Sequence, residues 1–223
     1  MSLVEYPDAE MMAMHLADTL AGELNAALMT HDAVCLAVPG GSTPGPVFDT
    51  LSALHLDWAR VTVVPTDERW VPPDHPRSNE RLIRARLLQG EAAAARFLPL
   101  RREGLTPEAA AEAASAELAN LLPIDVLLLG MGPDMHTASL FPGAPGLAAA
   151  LDAHAPSVAV LTPQGQPETR LSLTAPALDG AMAKHLAIAG AEKRAALEQA
   201  RRLPAEAAPV HAVLTDATIH WTP

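Results

Sequence analysis

Aromatic side chains are scarce: Phe, Tyr and Trp make up 3% of 223 residues. With apolar residues at 49%, the core must be built from Ala, Leu and Val. Lysine is scarcer still. Lys184 and Lys193 are the only two, so any ammonium placed for a purpose is one of them. Cys35 is the single cysteine, which excludes an internal disulfide, and its apolar surroundings predict a buried, inert thiol. No apolar run approaches the roughly 18 residues of a membrane span. The opening MSLVEYPDAEMM lacks a basic segment followed by an apolar core, so the expected location is the cytoplasm. Basic charge is also in short supply, at 15 − 26 = −11. That argues against nucleic acid or an anionic membrane as a general partner. A small anionic substrate remains open, because a site needs only a few local cations.

What is present is a regular alternation. Met12, Leu16, Leu20, Leu24 and Leu28 recur every fourth residue, which predicts a helix over 8–29 with one apolar face. Short, continuously apolar runs follow at 33–38, 61–64, 125–130, 157–161, 185–190 and 211–216. Runs of this kind, bounded by Gly, Pro or Asp, fit strands buried on both faces of a parallel sheet. Helical patterns fall between them, at 43–54, 77–88, 106–121 and 191–202. The third opens TPEAAAE, with Thr106 as N-cap and Pro107 at the first helical position. The expectation is a single α/β domain spanning 1–223: a Rossmann-like, open, mostly parallel sheet with helices on both faces. Met11, Met12 and Met14 read as a core patch of the first helix.

In such a sheet, ligands bind beyond the carboxyl ends of the strands. The first exit reads VPGGSTPG. Gly40 and Gly41 allow close backbone approach, Ser42 or Thr43 can cap the next helix, and Pro44 suits its first turn. Free amides and hydroxyls at a helix N-terminus form a natural anion site, although a capped turn without a ligand would read the same way. The stretch is neither a Walker A loop, having no Lys, nor a G-x-G-x-x-G fingerprint. The second exit, PTDERWVPPDHPRSN, sets Asp67, Glu68 and Arg69 just past a strand and follows them with a Pro-rich segment long enough to cover a site. The third, GMGPDMHTASLFPG, sets Asp134 two residues before His136. A His with a nearby carboxylate is the usual equipment for general-base chemistry, though a loop His is also commonly structural. Arg170, before Ser172 and Thr174, and Lys193, just past Gly190, fall after strands at the same sheet edge and suit a phosphate. The other histidines are scattered, with no zinc-ligand spacing.

Taken together, VPGGSTP, PTDERWV with its following SN, GMGPDMHTASLFPG, RLSLT and GAEKRAAL stand in the order and spacing of the 6-phosphogluconolactonase family, which this chain resembles from about 38 to 197. HTASLFPG is the most specific block. The resemblance implies a Rossmann-like fold and hydrolysis of 6-phosphogluconolactone to 6-phosphogluconate in the pentose phosphate pathway, without metal or cofactor. It implies that His136 is the base that activates water, that Asp134 orients it, and that Arg69 lies near the lactone. Gly40, Gly41, Ser42, Thr43, Arg170 and Lys193 would hold the phosphate, with Asp67 beside the substrate. The expected partner is this small sugar-phosphate lactone alone, and the protein a monomer or weak homo-oligomer.

One position departs from the family pattern. Met135 stands where the family has Gly between Asp and His. The expectation is that Met135 sits at negative φ with its side chain packed against the loop. A rival reading, an amino-sugar-phosphate deaminase or isomerase, resembles GHIAFNEPG at this block. Phe141 here replaces the carboxylate on which that chemistry depends. A sugar-phosphate sensor, keeping the phosphate contacts but not needing His136, is a third reading.

Overall fold

The computed structural model describes all 223 residues. A seven-stranded sheet in the order β1-β10-β9-β6-β2-β3-β5 carries the fold, and every neighbouring pair in it is parallel. In chain order its strands are β1 (Ser2–Glu5), β2 (Val34–Val38), β3 (Val61–Pro65), β5 (Arg96–Phe97), β6 (Val126–Gly130), β9 (Ala183–Ala189) and β10 (Thr218–Thr222). A second sheet, antiparallel and three-stranded, joins β4 (Asp67–Arg69), β8 (Arg170–Leu173) and β7 (Val158–Leu161).

The helices are α1 (Ala9–Leu28), α2 (Pro44–Ser52), α3 (Asn79–Arg86), α4 (Pro107–Leu118), α5 (Leu147–Leu151), α6 (Ala175–Asp179) and α7 (Ala191–Ala200). Their starts follow the expected capping chemistry. Asp8 accepts from the Met11 amide at 2.8 Å, and Thr106 from that of Ala109 at 3.3 Å. On β2, alternate side chains serve different cores. Val34, Leu36 and Val38 join α1 and α2 on one face, while Cys35 and Ala37 join α4 and α7 on the other. This double burial explains why the central strands read as unbroken apolar runs. Cys35 is 1% exposed, and burial pushes its thiol up to about 12.

Several expectations need correction. The run at 211–216 is not a strand: a 3-10 helix occupies Pro209–Val213 and the last strand lies beyond it, at TIHWT. Alternating polar residues hid that strand. The 157–161 run is a strand, but it belongs to the small antiparallel sheet. Of the three clustered methionines only Met12 is in the core; Met11 and Met14 are half exposed.

From β2 the chain proceeds outward through β3 to β5, and from β6 outward the other way through β9 to β10. The strand order therefore reverses between neighbouring β2 and β6, which marks the crevice where open α/β sheets bind ligands.

Candidate active site

The exits of β2 and β6 lie at that switch point and open on a cavity of about 360 Å³. Its wall includes Gly40, Gly41, Ser42, Thr43, Asp67, Arg69, His136, Arg170 and Lys193. Every residue expected at the site thus faces this cavity, except Asp134, which lies behind His136.

The turn after β2 is shaped by its glycines. Gly41 has φ +96°, a region that Gly enters without steric cost. A Cβ on Gly40 would run into the Asn79 carboxamide. The capping expectation is corrected here: Thr43 holds the N-cap position of α2 in a helical conformation and makes no side-chain cap bond. The Ser42 and Thr43 hydroxyls are therefore not spent on the helix.

The DER segment is buried rather than solvated, with Glu68 2% and Asp67 6% exposed. The Glu68 carboxylate accepts from the amides of Arg69 (2.7 Å), Asn79 (2.8 Å) and Glu80 (2.7 Å) and from Ser78 Oγ (3.0 Å). It thereby takes up orphan donors at the start of α3 and ties the end of the Pro-rich segment to β4. Burial raises its pKa, with these hydrogen bonds working against the rise. Asp67 accepts from Ser139 Oγ at 2.6 Å and from Asn79 Nδ2 at 3.2 Å, linking the third exit to both ends of the second. Arg69 Nη1 donates to Asn79 Oδ1 (2.5 Å) and to the Arg77 carbonyl (2.8 Å), which aims the guanidinium into the cavity wall.

The loop after β6 divides its polar residues between two tasks. Thr137 Oγ1 donates to the Gly130 carbonyl at 2.8 Å and Ser139 binds Asp67, so these two hold the loop. Asp134 and His136 remain. His136 Nδ1 lies 2.5 Å from Asp134 Oδ1, and the imidazole stacks on Phe141 with centroids 4.1 Å apart. A Cβ on Gly132 would collide with both side chains of the pair. Burial tends to raise the Asp134 carboxyl, but hydrogen bonding and charge from His136 outweigh it and hold the group below the ordinary carboxylate value. An imidazole gripped through Nδ1 and fixed in plane keeps Nε2 for proton transfer.

Met135 overturns the expectation of negative φ. Its φ is +66°, and Ala138 follows at +48°. The side chain does pack on the core beneath the loop, and the carbonyl accepts from the Val210 amide at 3.1 Å. Those ties hold a left-handed conformation that costs a non-glycine residue roughly 1–2 kcal/mol.

Arg170 was expected after a strand of the main sheet. It instead opens β8 of the small sheet, 3% exposed, with Nη2 on Gln166 Oε1 at 3.0 Å. Burial first, and then the Arg69 charge, lower its pKa; Asp67 and Glu168 oppose them. Lys193 stands in the first turn of α7, just past Gly190 at φ +91°.

Three further wall residues, Arg77, Asn79 and Gln166, were given no role from the sequence. Only Asn79 left a signal there, in the SN that follows DERWV. No group of three or more His, Cys, Asp or Glu side chains is placed to hold a metal ion.

Residues 7–221 match the family model described as glucosamine-6-phosphate isomerases/6-phosphogluconolactonase. A 6-phosphogluconolactonase of Rhizobium meliloti is 44% identical over 100% of this chain and 98% of its own. One of Pseudomonas aeruginosa is 45% identical over 95% of this chain and 90% of its own. Among solved structures, a 6-phosphogluconolactonase from Shewanella baltica superposes with TM-score 0.95 at 34% identity, covering 100% of this chain and 97% of the other. A monomeric glucosamine-6-phosphate deaminase shares the fold, with TM-score 0.84 at 19% identity over 100% of this chain and 97% of the other.

Proposed function

The chain belongs to the glucosamine-6-phosphate isomerase/6-phosphogluconolactonase family, and from that membership and the cavity we propose that it hydrolyses 6-phospho-D-glucono-1,5-lactone to 6-phospho-D-gluconate in the oxidative pentose phosphate pathway. The observation that carries the proposal is His136. Its Nδ1 is held by Asp134 at 2.5 Å and its ring stacked on Phe141, on the wall of a cation-lined cavity.

In this reading His136 Nε2 takes a proton from water as the oxygen attacks the lactone carbonyl. Asp134 holds the imidazole in place and stabilises its charged form. The carbonyl oxygen becomes anionic, and Arg69 offers a cation there. Collapse of the tetrahedral intermediate breaks the bond to the ring oxygen, which recovers the proton from His136. The substrate phosphate lies on the Gly40–Gly41–Ser42–Thr43 turn, with Lys193 and Arg170. Free hydroxyls at the turn and the buried, unpartnered Arg170 Nε support that placement. Asp67, bonded to Ser139 and Asn79, keeps the second and third exits in register beside the substrate. A lactone ester needs no stronger electrophile, so the mechanism uses neither metal nor cofactor. Residues 1–223 act as one domain, in the cytoplasm, as a monomer or weak homo-oligomer.

Phe141 weighs against the deaminase reading, because an apolar ring packs on His136 where that chemistry would need a carboxylate. The decisive measurement is release of acid from freshly generated 6-phosphogluconolactone, corrected for spontaneous hydrolysis. A rate no faster than the uncatalysed one would end the proposal.

A further inference from the structure

The cavity holds more positive charge than one phosphate requires. Arg69, Arg77, Arg170 and Lys193 all line it. Of these, Arg77 is the one engaged in an ion pair: its Nη2 lies 2.9 Å from Glu168 Oε2. The two residues come from different segments, Arg77 from the Pro-rich segment before α3 and Glu168 from the turn before β8. Arg77 has its backbone fixed, since its carbonyl accepts from Arg69 Nη1 at 2.8 Å and its amide donates to His75 Nδ1 at 3.2 Å. Its side chain remains 43% exposed while that of Glu168 is 15% exposed. The guanidinium can therefore turn between the rim and the cavity without moving the loop.

We propose that Arg77 is a further phosphate-binding, specificity-determining residue, and that Glu168 is its built-in competitor, setting how tightly the cavity holds an anion. The proposal rests on the lactonase reading above. A guanidinium fork meets carboxylate and phosphate through the same paired N–H donors, so Glu168 and the substrate phosphate compete for one group. Hydrolysis adds a carboxylate to a molecule that already carries a phosphate, so the product is the more anionic ligand. A site with four unopposed cations would retain it. Glu168 reclaims Arg77 as the product leaves, and this keeps the site from being held by its own product. Glu168 also lies close enough to Arg170 to oppose the lowering of its pKa, which places its charge within reach of the cavity.

The test is a double-mutant cycle on the full chain, with Arg77→Ala, Glu168→Gln and the pair. Arg77→Ala should raise KM for the phosphorylated lactone about tenfold, as for a charged hydrogen bond partly screened by solvent. Glu168→Gln should lower KM about two- to fivefold, the range of a partly exposed ion pair, and strengthen inhibition by 6-phosphogluconate and by inorganic phosphate by a similar factor. In the Arg77→Ala background Glu168→Gln should do much less, leaving only the effect of its charge on Arg170. Neither substitution should alter hydrolysis of a lactone without phosphate. An unchanged or raised KM in Glu168→Gln overturns the inference, as does an equal effect with and without Arg77. A shift confined to inhibition by 6-phosphogluconate, with inorganic phosphate unmoved, would assign Arg77 to the carboxylate and overturn it too. Wild-type turnover measured alongside judges the lactonase reading separately.

Discussion

The pairs His136–Asp134 and His185–Glu23 are built from the same chemistry and lie in opposite surroundings. His136 Nδ1 meets Asp134 at 2.5 Å on a loop beside the cavity, and Nε2 has no protein partner. His185 Nε2 meets Glu23 at 2.7 Å, but its Nδ1 is taken by His220 Nε2 at 3.0 Å. His220 Nδ1 in turn meets the Tyr6 hydroxyl at 2.8 Å, and that hydroxyl meets His15 Nδ1 at 2.7 Å. With Glu23 ionised, one arrangement of protons satisfies the whole series. His15 donates to Tyr6, Tyr6 to His220, His220 to His185 and His185 to Glu23. Every ring nitrogen in the middle of the series is committed, and His185 and His220 are 4% and 1% exposed. A carboxylate beside an imidazole is therefore insufficient for base chemistry. What distinguishes His136 is a free nitrogen with room for water.

The largest effects should separate the two pairs by what they damage. His136→Ala should lower kcat by roughly 10²- to 10⁴-fold, the usual worth of a positioned base, with KM and melting temperature nearly unchanged. His185→Ala should do the reverse. It strands buried partners, costs about 1–3 kcal/mol of stability, and leaves kcat per folded molecule intact. Kinetics paired with thermal melts would break the comparison if His136→Ala kept its kcat or His185→Ala lost it.

The cations proposed to hold the phosphate should show the next largest effect. Lys193→Ala or Arg170→Ala should reduce kcat/KM about ten- to a few hundred-fold, from the roughly 1.5–3 kcal/mol of a charged hydrogen bond. The loss should largely vanish on a lactone without phosphate. Equal losses on both lactones would assign these residues to structure or to the chemical step.

The buried series carries a pH signature of its own. Burial, followed by the nearby His185 and His15, lowers the His220 pKa from the ordinary 6.5 to about 3. Between those values the unfolded chain binds the extra proton, so this residue makes stability fall as pH falls below 6.5. The slope is up to about 1.4 kcal/mol per pH unit for one proton. His220→Gln cannot titrate, so its stability should depend less steeply on pH across that window in denaturant titrations. Parallel curves would show that His220 stays out of the acid response.

The sequence made one of these pairs visible and hid the other, for a physical reason. Asp134 and His136 are two residues apart at the end of an apolar strand, so local spacing exposes them. Glu23 and His185 are 162 residues apart and meet only when α1 crosses β9. The same reason hid β10, whose His220 and Thr222 read as polar until tertiary partners bury them. The central strands and the three exits were legible because burial on both faces and turn glycines leave local marks. Arg77, Glu168 and Gln166 were not, because a rim contact between distant loops leaves none. The small antiparallel sheet was missed likewise: β4 is three residues long, and its pairing to β8 spans a hundred positions.

The smallest effect concerns the backbone beneath His136, where Met135 takes φ +66°. Two contributions oppose each other there. The left-handed conformation costs a non-glycine residue roughly 1–2 kcal/mol, while the side chain gains from packing on the core. Met135→Ala removes the packing and keeps the strain; Met135→Gly removes both. The difference between these variants isolates the backbone contribution, and Gly should be the more stable by about 1 kcal/mol. Against wild type, the Gly variant should melt within a few degrees, because relief of strain offsets lost packing. Its kcat should hold, since Asp134 and Phe141 still grip the imidazole. Equal stability of the Ala and Gly variants would show that no strain is stored at 135. A Gly variant with intact stability but much reduced kcat would show that the Met side chain helps to place His136, making the His136–Asp134 pair depend on core packing as the buried pair does.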